Sequence, residues 1–569
     1  MSKKTNTLLL LTIINTTSLS IFPSFILFIF TYLTTLRIGN ITKNHASALL
    51  LALMCLVPII GTSSIIIETI SPDTNQFYYI YIVVFFFNLI LGTFGKQPTK
   101  INAFNKGDIS AVIVYLVITL ILLLPFVVAT SAHKIIIAST GGDTANHFMM
   151  FNYSLANGSP PYFNNDAKML DILRGYPQSL HMSMAMVFNF IFQSDSLLQK
   201  IIFYYLISIF YFGAMAFFFT QVVTIVSSKS IVACVTIGLS IWPVVGVYLL
   251  NWGFLTQIAG FAYMFALLYV LVDKDKEKHI LIHTSLVSLL LIGISSTYYI
   301  LLVPAVIGIT SQSRMYMVYA RRIKWIIILA IPAILAAPVL NLLSSNKDLI
   351  SLLPEKYAER SDTFLLPGSV YMYGDAIIIF MISALVALVI GQISLRLHQR
   401  EFPSPILWSA FTSYAMVVLI GVYQLVSVGE LRYYVYKLSF LTMSFALLTC
   451  AWLMKFLIED SNKKSKLLLF IAIALPCIFA LRNQLSSAPI DSQLKVNVGS
   501  YFAKNILLNE NDENTIFASE CNPTSAQIAN NWLNAIYLNN TLLRRKLTKD
   551  AIEDIDNTRF RSDIIYDDC

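Results

Sequence analysis

The sequence predicts an all-α polytopic membrane protein of roughly 13 to 15 transmembrane helices, with a small extracytoplasmic α/β appendage at its carboxyl end. Three observations predict this. Of the 569 residues, 57% are hydrophobic and 12% charged, where a soluble domain carries roughly 25% charged residues. The mean hydropathy is +0.70. The apolar residues also recur in blocks of about 20, the length a helix needs to cross a hydrocarbon core of about 30 Å with its backbone internally bonded.

In chain order, spans are predicted near 10–35, 46–68, 77–95, 109–130, 197–226, 231–250, 254–272, 280–295, 298–312, 325–343, 375–395, 406–428, 433–457 and 466–481. The first, "LLLLTIINTTSLSIFPSFILFIFTYLTTL", holds "NTTS" and Pro23, and reads as one kinked span or a tight hairpin of two. It is too long, and too poor in small residues at its end, for a cleaved signal. Residues 280–312 read as two half-crossings that turn at "SSTYY". Residues 1–484 thus form the membrane module, and 485–569 an extracytoplasmic domain with a strand-like "TIFAS" and a helix-like "SAQIANNWLNAIYL".

The net charge of +8 is scattered through short loops, which argues against a nucleic-acid-binding stripe. One alternating set of loops carries Arg37 and Lys43; Lys96, Lys100 and Lys106; Lys229; Lys274, Lys276 and Lys278; Arg314, Arg321, Arg322 and Lys324; Arg396 and Arg400; and Lys463, Lys464 and Lys466. Cytoplasmic loops are enriched in this way. The other set, including "ETISPDTNQ" at 68–76 and "NWG" at 251–253, is nearly free of positive charge and faces outward. The longer segments 131–196 and 344–374 and the tail share that outer face. Cys55, Cys234, Cys450 and Cys477 fall in spans and read as small buried hydrophobes. Cys521 and Cys569 lie in the tail, where an oxidising compartment would let them pair.

Two outer segments concentrate polar chemistry. In "STGGDTANHF", Asp143 and His147 are spaced i, i+4, so a helix puts them on one face. The plain alternative is that Asp143, after Gly141 and Gly142, only caps that helix. Its place at the lip of the bilayer favours function, because charge there is costly. Downstream lie Asp166, Asp171, Arg174, Tyr176, Pro177 and His181, with a Met-rich amphipathic helix starting near Pro177 and expected to lie along the interface. The second segment, "VGELRYYVYKLSF" at 428–440, sets Glu430, Arg432 and Lys437 among Tyr433, Tyr434 and Tyr436 at the mouth of a span. It reads either as an aromatic belt with snorkelling cations or as a pair of cations for an anionic lipid phosphate.

An outward Asp after a span, a His shortly after it, a "YP" with His beyond, and a late "YYVYK" resemble the GT-C superfamily of integral-membrane glycosyltransferases, nearest to the bacterial arabinofuranosyltransferase-like branch. The resemblance covers the architecture of nearly the whole chain, but its motifs amount to about fifteen residues. It implies an inverting hexosyl- or pentosyltransferase, with arabinofuranose one such sugar, that draws on a polyprenyl-phosphate donor. The acceptor would be a glycan, lipid or pilin-like protein on the periplasmic face of a bacterial inner membrane. Asp143 would be the general base; Lys437 and Arg432, with Tyr433 and Tyr434, would bind the donor phosphate. His147, Arg174, Tyr176, His181 and Glu430 would orient or bind substrate. "GGDTAN" has a single Asp where related branches have an acidic pair, so the resemblance carries over no metal dependence and leaves a divalent metal open but unsupported by an acidic pair; no nucleotide-binding loop is present. A surface-glycan polymerase or ligase, and a flippase or transporter of a lipid-linked glycan, stand as alternatives. A transporter would set its polar residues at mid-membrane breaks, whereas here they collect at one face.

Overall fold

The computed structural model describes residues 12–17, 25–42, 44–71, 74–93, 106–138, 143–160, 177–192, 196–227, 230–246, 249–250, 253–272, 277–344, 403–459, 516–519 and 564–567. The helices are α1 (Phe25–Thr42), α2 (His45–Met54), α3 (Leu56–Ile70), α4 (Phe77–Thr93), α5 (Lys106–Val128), α6 (Ser131–Ala138), α7 (Thr144–Asn157), α8 (Ser179–Ile191), α9 (Leu197–Val226), α10 (Ile231–Ile241), α11 (Leu255–Val272), α12 (Ile280–Tyr298), α13 (Leu302–Thr310), α14 (Ser313–Val318), α15 (Ala320–Ser344), α16 (Ser404–Val428) and α17 (Tyr433–Glu459). Among the described residues, 7 stretches are long and apolar enough to cross a membrane, with α1, α4, α8 and α10 giving shorter apolar helices. The chain therefore has the build of a multi-pass membrane protein. The spans expected at 375–395 and 466–481, the loop 344–374 beyond Ser344 and the helix expected at 525–538 lie outside the described residues.

Local chemistry explains where helices break. α2 and α3 form one 26-residue apolar path interrupted at Cys55, because Pro58 has no N–H to give the Met54 carbonyl. The Tyr263 hydroxyl donates to that carbonyl instead, at 2.6 Å. The span expected at 231–250 loses its α-helical pattern at Ile241 and continues as a π-turn over Trp242–Gly246, which contains Pro243. In the first segment, Asn88 Nδ2 donates to Asn15 Oδ1 at 3.1 Å and to the Ile26 carbonyl at 3.2 Å. One straight helix would hold residues 15 and 26 about 16 Å apart, so the two do not share one; the kink or turn expected near Pro23 lies outside the described residues.

The turn expected at "SSTYY" is also present. Helical bonding is nearly unbroken from Ile280 to Thr310, yet Tyr298 leaves the helical region at φ −152°, ψ 77° before a single turn over Tyr299–Leu301. The His283 and Tyr316 rings sit 6.2 Å apart, whereas a straight path would separate them by about 50 Å. The chain doubles back, and α15 then climbs beside α12, where Ser295 Oγ donates to the Ile334 carbonyl.

α9 and α11 form the centre: the apolar window of α11 is 89% buried, against 22% for α5 at the periphery. With no hydrophobic driving force between helices in lipid, close packing carries the association. Segments expected on one side of the membrane meet each other. The Gln76 N–H donates to the Gly158 carbonyl at 2.8 Å, and Gly253 abuts Thr144. At the opposite end, the Arg37 guanidinium donates to the Leu91 carbonyl at 2.6 and 2.9 Å.

One expectation is corrected. α8 does not present an apolar face to an interface: Ser179 to Met186 are all buried. It packs on α3 and α7, tightly enough that a side chain at Gly61 would strike Ser179. In the tail, the expected strand is found as β1 (Ile516–Ser519), pairing in parallel with β2 (Ile564–Asp567).

Candidate functional site

α7 carries the first motif and is fixed at both ends. Its carboxyl end closes on Gly158 at φ +65°, a left-handed cap that glycine adopts without strain, and this residue lies against Asn75. Its amino end rests on Gly253, at φ +75°, whose missing side chain leaves the space taken by Thr144. These two contacts hold Asp143 and His147 between the amino-terminal ends of α4 and α11.

Asp143 is not the capping residue that its sequence context allows. Its backbone is already helical, at φ −89° and ψ −12°, and its side chain makes no capping hydrogen bond, since capping needs an extended backbone at that position. The carboxylate turns instead to three side chains. Asn146 Nδ2 donates to Oδ1 at 3.3 Å. His147 Nε2 and Lys437 Nζ each lie 3.6 Å from Oδ2. Asp143 retains 23% of its side-chain exposure, against 2% for His147 and 3% for Lys437, so the carboxylate is the open member of the cluster. Burial alone would raise the Asp143 carboxyl, but the Lys437 ammonium, then His147 and Asn146, outweigh it and hold the group below the usual carboxylate range.

Lys437 reaches the cluster from the second turn of α17, far along the chain. Its ammonium lies 3.9 Å from the centre of the Phe254 ring, a cation–π contact. Its carbonyl accepts from Gln257 Nε2 at 2.6 Å. A cation in this apolar setting is tolerable because Asp143 neutralises it and Phe254 solvates it.

His147 has a second neighbour. Its Nδ1 lies 3.2 Å from His181 Nε2, and the two rings stack with centroids 5.2 Å apart and planes inclined by 13°. Burial lowers the His181 pKa well below that of a free imidazole, so His181 is neutral. Around the cluster, several buried polar atoms lack a hydrogen-bond partner: Ser179 Oγ, His181 Nδ1, Tyr204 Oη and Gln257 Oε1. Buried polar atoms are nearly always satisfied in proteins, and orphans gathered beside a charged pair mark a place built for a polar ligand. Among the described residues, no three His, Cys, Asp or Glu side chains group to hold a metal ion, and the Lys437 ammonium already takes the cation position beside Asp143.

The structure thus brings together Asp143, His147, His181 and Lys437 from the expected set. Arg432 has its guanidinium 2.8 Å from Glu430; its own side chain is 13% exposed and that of Glu430 63%. Tyr434 is half-buried in the first turn of α17, which Tyr433 begins. Arg174, Tyr176, Asp166 and Asp171 lie outside the described residues. Sequence reasoning missed Asn146, Tyr204, Phe254 and Gln257. Asn146 lies inside the quoted motif and Phe254 directly after the outer "NWG", so a reading of every outer-loop edge would have included both. No protein-family model, curated protein or solved structure matches the chain.

Proposed function

We propose that the protein is an inverting glycosyltransferase that moves a sugar from a polyprenyl-phosphate donor to a periplasmic or cell-surface acceptor, at the outer face of a bacterial inner membrane. The supporting observation is that the two polar motifs, distant in sequence, meet as Asp143 and Lys437 at 3.6 Å. Asp143, the exposed member, takes the proton of the acceptor hydroxyl as that oxygen attacks the anomeric carbon. The bond from that carbon to the phosphate oxygen breaks in the same displacement, so the configuration inverts and the lipid phosphate leaves with the electron pair. Lys437 stabilises the charge that grows on the phosphate. The ion pair serves both roles: an anionic phosphate competes with Asp143 for the ammonium, and a carboxylate relieved of its cation becomes a stronger base.

The test is transfer of radiolabelled sugar from a panel of polyprenyl-phosphate donors, pentosyl and hexosyl, by purified protein in bilayers. Product from one donor class, with inverted configuration, supports the reading. Absence of product from every donor, with movement of the intact glycolipid across reconstituted vesicles, would replace it with the flippase.

A further inference from the structure

The histidine pair beside Asp143 has a proton arrangement that its surroundings dictate. Asp143 Oδ2 already faces the Lys437 ammonium at 3.6 Å. An imidazolium on that oxygen would add a second cation, uncompensated, at a residue that is almost fully buried. His147 is therefore neutral, with one ring proton. A carboxylate only accepts, so that proton sits on Nε2, the atom facing Oδ2. Nδ1 of His147 is then a lone pair, and its 3.2 Å contact requires His181 Nε2 to be the donor. His181 Nδ1 is left as a lone pair, and this is the atom that is buried without a partner. The opposite assignment would turn a lone pair of His147 Nε2 toward the Asp143 carboxylate at 3.6 Å, a repulsion that the N–H in that place replaces by attraction.

We infer that His181 is a positioning residue, which by donating to His147 fixes the tautomer that keeps an N–H on Asp143. With Oδ2 shared between His147 and Lys437, the carboxylate is held so that Oδ1, bonded among the described residues to the Asn146 amide, faces the acceptor hydroxyl. His181 touches no reacting atom and acts through His147. Its seat is prepared by the fold: α8 packs on α7 as well as on α3, which sets the His181 ring parallel to that of His147.

The kinetic half of this inference rests on the proposed transferase reading; the tautomer itself does not. Nitrogen-15 NMR of histidine-labelled protein, with signals of the 7 histidines assigned by single substitution, reads the tautomer directly. Wild type should show His147 protonated at Nε2 alone, and His181→Phe should show a mixture. His181→Gln, whose amide nitrogen replaces the lost donor, should restore the single tautomer. In transfer assays His181→Phe should lower kcat by about tenfold, the scale of one lost hydrogen bond, with the donor KM unchanged, and the Gln variant should recover to within about threefold. A wild-type His147 protonated at Nδ1, or Phe and Gln variants equally impaired with His147 unchanged in both, would overturn the inference. Absence of transfer in every protein, wild type included, would count against the transferase alone, with the NMR result still deciding the tautomer.

Discussion

The two ends of the helical bundle each bury a polar cluster, and the clusters differ in how completely they are paired. At one end, Asn44 Oδ1 caps α2 by accepting from the Ala46 and Ser47 N–H groups, and its Nδ2 donates to Ser47 Oγ at 3.0 Å. Gln221 Nε2 bridges Ser47 Oγ at 3.3 Å and Asp108 Oδ1 at 3.2 Å. None of these side chains holds an orphaned buried atom. At the other end, Asp143 and Lys437 are both charged, one of them partly open, and the neighbouring His181 and Tyr204 hold buried atoms without a hydrogen-bond partner. A closed network locks helices together, whereas a partly satisfied one costs stability and persists where a ligand completes it.

That contrast can be broken or sharpened by substitution. The largest effect should come from Asp143→Asn, which keeps the shape and removes the base: transfer should fall about 10²-fold to 10⁴-fold while membrane insertion, followed by protease protection, is unchanged. Next is Gly253→Val. A side chain there meets Thr144 and is forced into φ +75°, so the amino end of α7 must move; the melting temperature should fall along with transfer, at a strain of about 1–3 kcal/mol. Lys437→Met should raise the donor KM about tenfold, a charge-assisted contact being lost. It should also shift pH dependence. In wild type the acid limb of kcat/KM lies below about pH 4, because Asp143 is held under the usual carboxylate range. Without the ammonium the effect of burial dominates, and the limb should move upward. At the end away from Asp143, Asn44→Ala should cost about 1 kcal/mol of stability, as a lost helix cap does, and leave the specific activity of folded protein unchanged. The smallest effect belongs to Arg432→Ala: its ion-pair partner Glu430 is 63% exposed, and a pair open to solvent on one side is worth about 0–1 kcal/mol, so transfer should change by less than about threefold. A larger loss would draw Arg432 into the phosphate site.

Much of this was legible in the sequence because charge is rare in the chain. Asp143 and Lys437 stood out as ionisable residues at the edges of apolar blocks, and the alternation of basic loops placed their segments at one end of the bundle before any contact was known. The reversal at Tyr298–Leu301 was required by the same alternation. What stayed hidden has physical reasons. Gln257 and Tyr204 sit in spans whose composition is ordinary, and only packing turns their polar atoms toward the site. α8 has enough Ser and His to look amphipathic, but those residues are buried inside the protein, which periodicity does not distinguish from exposure to water. Asp143 follows two glycines as helix caps do, and only its backbone angles show that it is not one. The bond from Tyr263 to the carbonyl that Pro58 leaves free spans a separation that local propensity does not encode.

The most direct test of the central claim, that Asp143 and Lys437 act as one catalytic unit, is a double-mutant cycle on transfer rate. Wild type, Asp143→Asn, Lys437→Met and the double variant would be measured with one polyprenyl-phosphate donor. Residues acting as a unit are strongly non-additive, so the double variant should be little slower than Asp143→Asn alone. Losses that multiply, or substantial transfer by Asp143→Asn, would contradict the claim.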